Sequence, residues 1–334
     1  MMLRNNSDHH FRYLLWWLSL SLLVVSPVTL AEADSSVQAQ QLINEMSRAS
    51  RELNYDGIFV YRRGKHMDTM RLIHKFGQDG EQERMVSLTG FAREVIRDGE
   101  SVTCIFPDNR AVMVEKSRPR KFIAAKLPEP IEKIADFYSF SIVGRDRVAG
   151  RPAWVVNIIP RDDFRYGYHL WIDEETKLLL KSELKDGDGR SIEQILFTQL
   201  HVVDDIPPEL LKPAISGIGF SWHSGSTTEI PLRSGTNIWS VQEMPAGFSL
   251  SDYEKQSVEE NAMPVEHMIY SDGVAMVSIF IEKIGNEPEE VRGASRMGGV
   301  NAYSTYQHGY QITAVGEVPQ KTVQQMATSV VQGK

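Results

Sequence analysis

The stretch LNYDGIFVYRRG, residues 53–64, marks the point at which the sequence pattern changes from helical to extended. Before it, apolar residues recur at steps of four, three and four, which places them on one helical face: Leu42, Met46, Ala49 and Leu53. Within it, apolar and polar residues begin to alternate with a period of two, as in a strand with one buried face. We therefore predict a helix over Ser35–Leu53 and a strand over Gly57–Tyr61.

Ten further short strands are predicted downstream, separated by turns that contain Gly, Asp, Asn or Pro. They are Met70–Phe76, Arg84–Leu88, Ala92–Arg97, Val102–Phe106, Ala111–Glu115, Ser141–Val148, Ala153–Ile159, Tyr166–Asp173, Leu178–Lys185 and Ile192–Val203. Short strands at this spacing predict an antiparallel sheet joined by hairpins. Apolar and charged residues share the strand faces, so one face is either wet or covers a cavity. A second helix is predicted over Glu129–Tyr138, with Pro130 in its first turn.

The chain is long enough for two domains. Residues 204–217, DDIPPELLKPAISG, are rich in Pro and end in Gly, which is typical of a linker or a domain edge. We place the larger domain at residues 34–205, the linker at 206–219 and a smaller α+β domain at 220–334. The clearest elements of the smaller domain are a strand over Ala275–Ile281 and a helix over Pro319–Val331.

The N-terminus has the features of an export signal. Arg4 and Arg12 precede an apolar run at residues 14–25, which is shorter than the roughly 20 residues needed to span a bilayer. The sequence Ala31-Glu32-Ala33 follows, in the small-x-small pattern of a cleavage site. We predict a signal peptide over residues 1–33, cleaved near Ala33, and a mature protein in the periplasm. The alternative is an uncleaved anchor.

Charge and cysteine content restrict the partners and the sources of stability. The formal net charge is −8, which argues against general nucleic-acid binding. The chain has one cysteine, Cys104, so it cannot form an internal disulfide. Because Cys104 lies in the apolar stretch VTCIF, we interpret it as a buried small hydrophobic residue rather than a reactive thiol.

No pattern of residues indicates catalysis, a metal site or a cofactor. The zinc-protease, nucleophile-elbow and phosphate-loop motifs are absent from the sequence. The segment Asp186–Arg190 begins like a calcium loop, but its fifth and sixth positions hold Arg190 and Ser191, so a hairpin turn is the better interpretation. Ser182 and Lys185 match S-x-x-K, yet on a strand residues three apart point to opposite faces. We predict no catalytic residues, no metal ligands and no cofactor.

Two groups of residues are candidates for binding. The first group would line the concave face of a curved sheet: Phe59, Tyr61, Met70, Leu72 and Met85. Such residues usually form ordinary core; the alternative is a pocket for acyl chains, to which Met adapts well. The second group belongs to the basic segment KSRPRKFIAAK, residues 116–126: Lys116, Arg118, Arg120 and Lys121. This segment is either a solvated loop or a contact for anionic lipid headgroups or an acidic partner.

Several long blocks of the sequence resemble one known family. LNYDGIFVYRRG and FAREVIRDGESVTCIFP lie in the larger domain, and VGRDRVAGRPAWVVNIIPRDDFRYGYHLWIDEETKLLLKSEL follows from residue 143. MPAGF, MPVEHMIYSDGVAMVSIFIEKI and ITAVGEVPQKT lie in the smaller domain. In this order they resemble the MucB/RseB family of periplasmic negative regulators of the envelope-stress sigma factor. The resemblance covers about Leu42 to Val331.

The resemblance implies a fold, partners and a mechanism. The larger domain would be a half-open antiparallel sheet closed by helices, similar to the lipoprotein carriers LolA and LolB, with a hydrophobic cavity. The smaller domain would help to bind the periplasmic segment of a single-span anti-sigma factor of the RseA/MucA type and shield it from proteolysis. Lipopolysaccharide or another acyl-chain lipid would release this segment. Alginate control and a homodimer are further traits of the family.

Two other classes of function remain open from the residues alone. A periplasmic lipid or lipoprotein carrier would use the same cavity, although a simple carrier does not need the additional C-terminal domain. A periplasmic hydrolase would need catalytic motifs that the sequence lacks. Capture of a single-span membrane protein would favour the regulator, and capture of lipoproteins alone would favour the carrier.

Overall fold

The structure is a computed structural model that describes residues 28–78, 80–99, 101–116, 127–128, 130–224, 226–229, 239–257, 265–284 and 292–333. These residues include two α-helices, α1 (Val28–Glu52) and α2 (Gln320–Thr328). They also include two short 3-10 helices, Ile131–Ile134 and Pro208–Leu210. Neither α-helix combines the length and the apolar character that a transmembrane segment requires.

The strands of the described residues form three sheets. The largest sheet has twelve strands: β1 (Asn54–Arg63), β2 (His66–Gly77), β3 (Gly80–Ser87), β4 (Glu94–Asp98), β5 (Ser101–Phe106), β6 (Ala111–Lys116), β7 (Tyr138–Val148), β8 (Arg151–Pro160), β9 (Gly167–Asp173), β10 (Leu179–Lys185), β11 (Ser191–Val203) and β12 (Ser221–Ser224). The second has seven: β13 (Ser226–Glu229), β15 (Ser249–Ser257), β16 (Val265–Ser271), β17 (Met276–Lys283), β18 (Gly293–Met297), β19 (Val300–Gln307) and β20 (Tyr310–Gly316). β14 (Trp239–Val241) and β21 (Val330–Gln332) form the third.

The twelve-stranded sheet is built almost entirely from hairpins. Its order is β12-β6-β5-β4-β3-β2-β1-β11-β10-β9-β8-β7. Each pair is antiparallel except β12 with β6, which is parallel. The chain therefore runs outward from β1 to β6, returns at β7 on the far edge, and closes inward to β11, which pairs with β1. This arrangement confirms the predicted α+β class with a curved antiparallel sheet.

Helix α1 packs on one face of this sheet. Its buried face contains Ala39, Ile43 and Met46, which join a core with residues of β7 and β8 such as Phe140 and Ile158. Farther along, Ala49 joins a second core together with β1 and β2. The predicted helical face is confirmed at Met46 and Ala49, although Ile43 rather than Leu42 lies at its centre. The helix also begins earlier than predicted, at Val28, within the predicted signal peptide.

The smaller domain has its own core between its sheet and helix α2. Met268 and Ile279 lie on neighbouring strands and are fully or almost fully buried, as are Val323 and Met326 of α2. The predicted helix over Pro319–Val331 is wrong at its end. Helix α2 ends at Thr328, and the chain continues as β21, which pairs with β14.

The predicted helix over Glu129–Tyr138 is also shorter than expected. A single 3-10 turn, Ile131–Ile134, buries its two isoleucines, and Tyr138 already begins strand β7. The backbone amide of Ile131 donates to Asn44 Oδ1 of α1 at 2.9 Å. A single turn is therefore enough to bury both isoleucines, and Tyr138 belongs to the sheet rather than to the helix.

The predicted linker, residues 206–219, lies across the outer strands of the large sheet. Arg84 donates to the carbonyl of Leu210 at 2.9 Å, and Glu94 accepts the amide of Ala214 at 3.0 Å. Arg84 and Glu94 also form an ion pair with each other, and both side chains are largely buried. Beyond the linker, β12 still belongs to the large sheet, so this sheet extends past the predicted start of the smaller domain at residue 220.

Candidate functional site

The five residues predicted to line a pocket lie on one face of strands β1, β2 and β3. Phe59 is opposite Met70, and Leu72 is opposite Met85. Tyr61 is two residues from Phe59, so it shares the same face. Phe59, Met70 and Leu72 are 1%, 3% and 4% exposed, whereas Tyr61 and Met85 are half-buried. The inner part of this face is therefore packed with side chains, including Phe197, whose ring centroid is 5.5 Å from that of Phe59.

The same face continues outward as a row of apolar side chains that the sequence analysis did not connect. Each member is directly opposite the next on neighbouring antiparallel strands, so all of them point the same way. We call this the apolar row: Leu72, Met85, Val95, Cys104 and Met113. Burial decreases along it, from almost complete at Leu72 to 40% exposure at Met113. Cys104 is half-buried, so the expectation of full burial is not met.

The basic segment falls largely outside the described part of the chain. Lys116 is the last residue of β6, and its side chain is not described. Arg118, Arg120 and Lys121 lie outside the described residues. Their role as a headgroup or partner contact stays a prediction.

A buried charge cluster joins the large sheet to the smaller domain. Arg165, in the β8–β9 loop, has a fully buried side chain and lies 3.3 Å from Asp272, measured from Nε to Oδ2. Tyr138 donates its hydroxyl to the same carboxylate oxygen at 2.8 Å. Arg165 also donates to the carbonyl of Ala246 and lies over the ring of Phe248. We call Tyr138, Arg165 and Asp272 the first junction.

The two carboxylate oxygens of Asp272 make two different sets of contacts. Its Oδ1 accepts the backbone amides of Val274 and Ala275, at 2.8 and 2.7 Å, which fixes the β16–β17 turn. Its Oδ2 meets the two side chains from the large domain. Burial, together with the negative charge of Asp272, raises the pKa of the Tyr138 hydroxyl well above its usual value. The sequence analysis did not anticipate that this turn aspartate contacts the large domain.

A second junction lies at the edge of the predicted pocket. Tyr61 donates its hydroxyl to Glu193 Oε2, and Glu193 Oε1 accepts the backbone amide of Gly299 at 2.7 Å. Glu193 is a largely buried carboxylate of the large sheet, whereas Gly299 belongs to the β18–β19 turn of the smaller domain. Burial and the hydrogen bond to Glu193 raise the pKa of Tyr61. We call Tyr61, Glu193 and Gly299 the second junction.

The turn at the second junction requires glycine. Gly298 has φ +65° and packs against the Arg63 side chain, and a Cβ on Gly299 would lie 2.6 Å from Leu184 Cδ2. A Cβ at either position would force side chains of the large domain to move. The close approach of two glycines thus allows a backbone amide to reach a buried carboxylate.

Further hydrogen bonds connect the domains between these junctions. The Tyr168 hydroxyl donates to Glu317 at 2.9 Å, and Asn301 donates to the Tyr166 hydroxyl at 3.0 Å. At the periphery, Lys321 forms an exposed ion pair with Asp163 at 3.0 Å. Hydrogen bonds and an ion pair therefore link the two domains at several points of their interface.

Two motif-based interpretations can be checked against the geometry. Asp186 Oδ1 accepts the amides of Asp188 and Arg190, and Oδ2 binds the Arg190 side chain, so the segment is a hairpin turn closed by its own residues. Ser182 and Lys185 lie on strand β10, as predicted. In the described part of the chain, no group of three or more His, Cys, Asp or Glu residues is placed to hold a metal ion.

Comparison with known proteins identifies the family. The model of the MucB/RseB N-terminal domain matches residues 38–215, and that of the MucB/RseB C-terminal domain matches residues 233–331. The sigma-E factor regulatory protein RseB of Haemophilus influenzae is 29% identical over 322 residues, covering 94% of this chain and 96% of that protein. The sigma factor AlgU regulatory protein MucB of Pseudomonas aeruginosa is 29% identical over 320 residues, covering 92% and 96%.

A solved structure shows the same architecture with a partner bound. The complex of Pseudomonas aeruginosa MucA and MucB aligns with a TM-score of 0.68 and 28% identity, covering 89% of this chain and 99% of that chain. A second crystal structure, of MucB in complex with MucA(peri), aligns equally well. Both family models match in order and together extend over most of the sequence. The chain belongs to the MucB/RseB family.

Proposed function

We propose that this chain is a periplasmic negative regulator of an envelope-stress sigma factor. It binds the periplasmic segment of a single-span anti-sigma factor of the RseA/MucA type and shields that segment from proteolysis. The observation that carries this proposal is the match of both family models, over residues 38–215 and 233–331, together with the MucA-bound structures of a relative 28% identical to this chain. The proposed activity is binding rather than catalysis, and the site of action follows from the predicted export signal.

The test of partner binding is direct. The exported form, residues 34–334, is mixed with the periplasmic segment of the anti-sigma factor encoded by the same genome, and binding is measured by calorimetry. We expect a stable complex and slower cleavage of the segment by its protease. No binding, or unchanged cleavage in the presence of excess regulator, would contradict the proposal. Recovery of lipoproteins alone from an envelope extract would favour the carrier function.

We further propose that the apolar face of the large sheet responds to an acyl-chain lipid such as lipopolysaccharide. The inner residues Phe59 and Met70 are packed in the described structure, so an acyl chain has two routes. It contacts the outer, half-exposed part of the apolar row, or it displaces α1 from the inner part. In the first route the ligand covers surface that is now partly exposed to solvent, whereas in the second it replaces contacts that the protein now makes with its own side chains.

The second junction gives this response a path to the partner. Tyr61 belongs both to the predicted lipid-binding face and to the contact with Glu193, and Glu193 holds Gly299 of the smaller domain. A lipid that moves Tyr61 therefore removes one of two donors from a buried carboxylate, which weakens the domain contact. The coupling is reciprocal, so the bound partner must weaken lipid binding by the same factor. Typical couplings change affinity by about 5- to 150-fold.

The first junction fits a switch with two arrangements. Among the described residues, Nε and Nη1 of the buried Arg165 have no hydrogen-bond partner of good geometry. Because some of its buried donors lack partners, this network stabilises the present domain arrangement less than a complete network would. The free-energy difference between this arrangement and an alternative one is therefore smaller. We propose residues 34–205 as the lipid-responsive part and residues 220–334 as a part of the partner-binding surface.

Sedimentation velocity of the exported form tests the proposed homodimer, which predicts a concentration-dependent increase in mass.

A further inference from the structure

The seven-stranded sheet of the smaller domain ends in an exposed edge strand. Among the described strands, β18 pairs only with β19, and its last four residues are all exposed. The pairing runs without a register shift from Gly293 to Met297. The strand has five residues, an ordinary strand length, and contains neither lysine nor proline. An edge of this kind is a template for a further strand. We call β18 the open edge.

The edge of the large sheet is protected by comparison. Strand β7 carries a register shift between Ile142 and Gly144, and such a bulge bends the strand locally. Three consecutive charged residues follow, Arg145, Asp146 and Arg147, and all of them are exposed. Bulges and charges on an edge strand hinder pairing with another chain. The open edge has neither a bulge nor such a run of charges, so its own residues leave it available for strand addition.

The β18–β19 turn determines which backbone groups of β18 are available. Met297 and Val300 flank a two-residue turn whose first residue, Gly298, has φ +65°. Glycine at this position is typical of a type II′ hairpin turn, and the two flanking residues are then hydrogen-bonded to each other. Hydrogen-bonded and non-hydrogen-bonded pairs alternate along antiparallel strands. The N–H and C=O groups of Ala294 and Arg296 therefore point away from β19, toward the outer side of the sheet.

The open edge is continuous with the second junction. The turn that follows β18 contains Gly298, which packs against Arg63, and Gly299, whose amide donates to Glu193. Only Gly298 separates Gly299 from Met297, the last residue of the open edge. The Met297 side chain is 59% exposed, so it can contact a side chain of an added strand. A change at the second junction therefore moves the end of the open edge.

We propose that an extended segment of the anti-sigma factor adds to the open edge as a further strand. This inference rests on the proposed function and names the surface that holds the partner. Strand addition binds a peptide through its backbone groups. Proteases bind their substrates as extended chains through the same backbone groups, so a segment paired with β18 is withheld from cleavage. A lipid that acts on the second junction displaces the end of the open edge and weakens this pairing.

Two substitutions at one position test the proposal. Arg296→Pro and Arg296→Gln both remove the guanidinium, whose Nε donates to the carbonyl of Gly298 at 2.9 Å. Only the proline also removes the outward N–H, and proline is tolerated on edge strands. Calorimetry of the exported form, residues 34–334, should show that Arg296→Pro lowers affinity for the anti-sigma segment at least about tenfold, because a hydrogen bond of the complex is lost. Arg296→Gln should bind nearly as well as the unchanged chain.

Amide hydrogen exchange of the unchanged chain gives a second readout that needs no variant. Binding of the segment should slow exchange at Ala294 and Arg296, whose amides gain a partner. It should change exchange less at Ser295 and Met297, whose amides already pair with β19. Circular dichroism should show that both variants are folded.

The outcomes separate strand addition from the proposed function. If the unchanged chain does not bind the segment, the proposed function itself is wrong. If it binds, but Arg296→Pro binds equally well or Arg296→Gln is equally weakened, only strand addition is overturned. Exchange at Arg296 that is as fast in the complex as in the free chain has the same meaning. If Arg296→Pro keeps the segment but no longer self-associates in sedimentation velocity, the open edge pairs with a second copy of the chain and the proposal is wrong.

Discussion

The two junctions between the domains differ in what surrounds them. The first, Tyr138, Arg165 and Asp272, is a buried charge cluster in contact with the core of the large domain. The second, Tyr61, Glu193 and Gly299, lies at the edge of the face where we predict lipid binding. A charge cluster enclosed by both domains contributes to holding them together. A hydrogen-bonded carboxylate that shares a residue with a binding face is suited to sensing. We propose that the first junction holds the domains together while its incomplete hydrogen bonding keeps a second arrangement accessible, and that the second junction connects this arrangement to the lipid-binding face.

The largest effect is expected at the first junction. Asp272→Ala leaves the buried Arg165 with only Asp162, 3.5 Å away, as a counter-ion. It also removes the acceptor of Tyr138 and of two turn amides, so it should cost about 3–5 kcal/mol of stability. Urea denaturation monitored by circular dichroism measures this loss. The matched control is Asp163→Ala, which breaks the exposed pair with Lys321 and should change stability very little. Similar losses in the two variants would show that burial is not what makes the first junction strong.

A smaller effect is expected from Glu193→Gln at the second junction. The amide keeps one acceptor but loses the charge, so the hydrogen bonds from Tyr61 and Gly299 cannot both keep their strength. We expect a loss of about 1–3 kcal/mol. The factor by which lipid weakens binding of the anti-sigma segment should also fall toward one, measured by titration of the segment with and without lipid. An unchanged factor would remove the second junction from the signalling path.

The tyrosines of both junctions predict an alkaline loss of stability. Burial comes first among the causes that raise the pKa values of Tyr138 and Tyr61 above the usual value of about 10. A raised folded-state pKa means that this contribution is complete below about pH 10 and is lost as pH rises above it. Each tyrosine adds up to about 1.4 kcal/mol per pH unit to the slope.

Stability measured between pH 9 and pH 11 tests this slope. Tyr138→Phe and Tyr61→Phe should each make the decline shallower relative to the unchanged chain. If both variants lose stability as steeply with pH as the unchanged chain does, groups other than these two tyrosines cause the decline.

The smallest stability effect is expected from Tyr61→Phe at neutral pH. The ring keeps its packing and only the hydroxyl is lost, so stability should fall by about 1 kcal/mol. Its functional effect should nevertheless be clear, because lipid can then no longer act on Glu193 through this hydrogen bond. Partner affinity measured with and without lipid checks this. A variant as responsive as the unchanged chain would place the coupling elsewhere.

Most strands of the large sheet were predictable because each has its own local pattern. Alternation in GIFVY and the turns at Asp98-Gly99 and Asp186–Arg190 are properties of consecutive residues, and β1, β4, β5, β10 and β11 follow them. The class of the fold followed from the number and spacing of such segments. Helix ends were less predictable, since tertiary pairing decided them. Residues after Thr328 form β21 because β14 is available as a partner.

The junctions were not predictable in the same way. Glu193 lies in an alternating strand and looks like any polar position of the outer face. Asp272 looks like an ordinary turn residue, and Arg165 is one of four charged residues in the stretch RDDFR, residues 161–165. Their roles depend on a second domain that packs against them, which no local pattern encodes. The linker prediction failed to anticipate packing for a similar reason, because Arg84 and Glu94 contact it from more than 100 positions away.

The position of Cys104 makes the apolar row accessible to chemistry. It is the only cysteine of the chain, and it lies between Val95 and Met113 in the row, half-buried. A thiol-directed label on the unaltered protein would therefore attach at one known place on the proposed lipid-binding face. The rate of alkylation reports how open that face is, and an acyl chain lying along it slows the reagent. Labelling of Cys104 therefore reports whether this face is occupied by a ligand, and no cysteine has to be introduced by mutation.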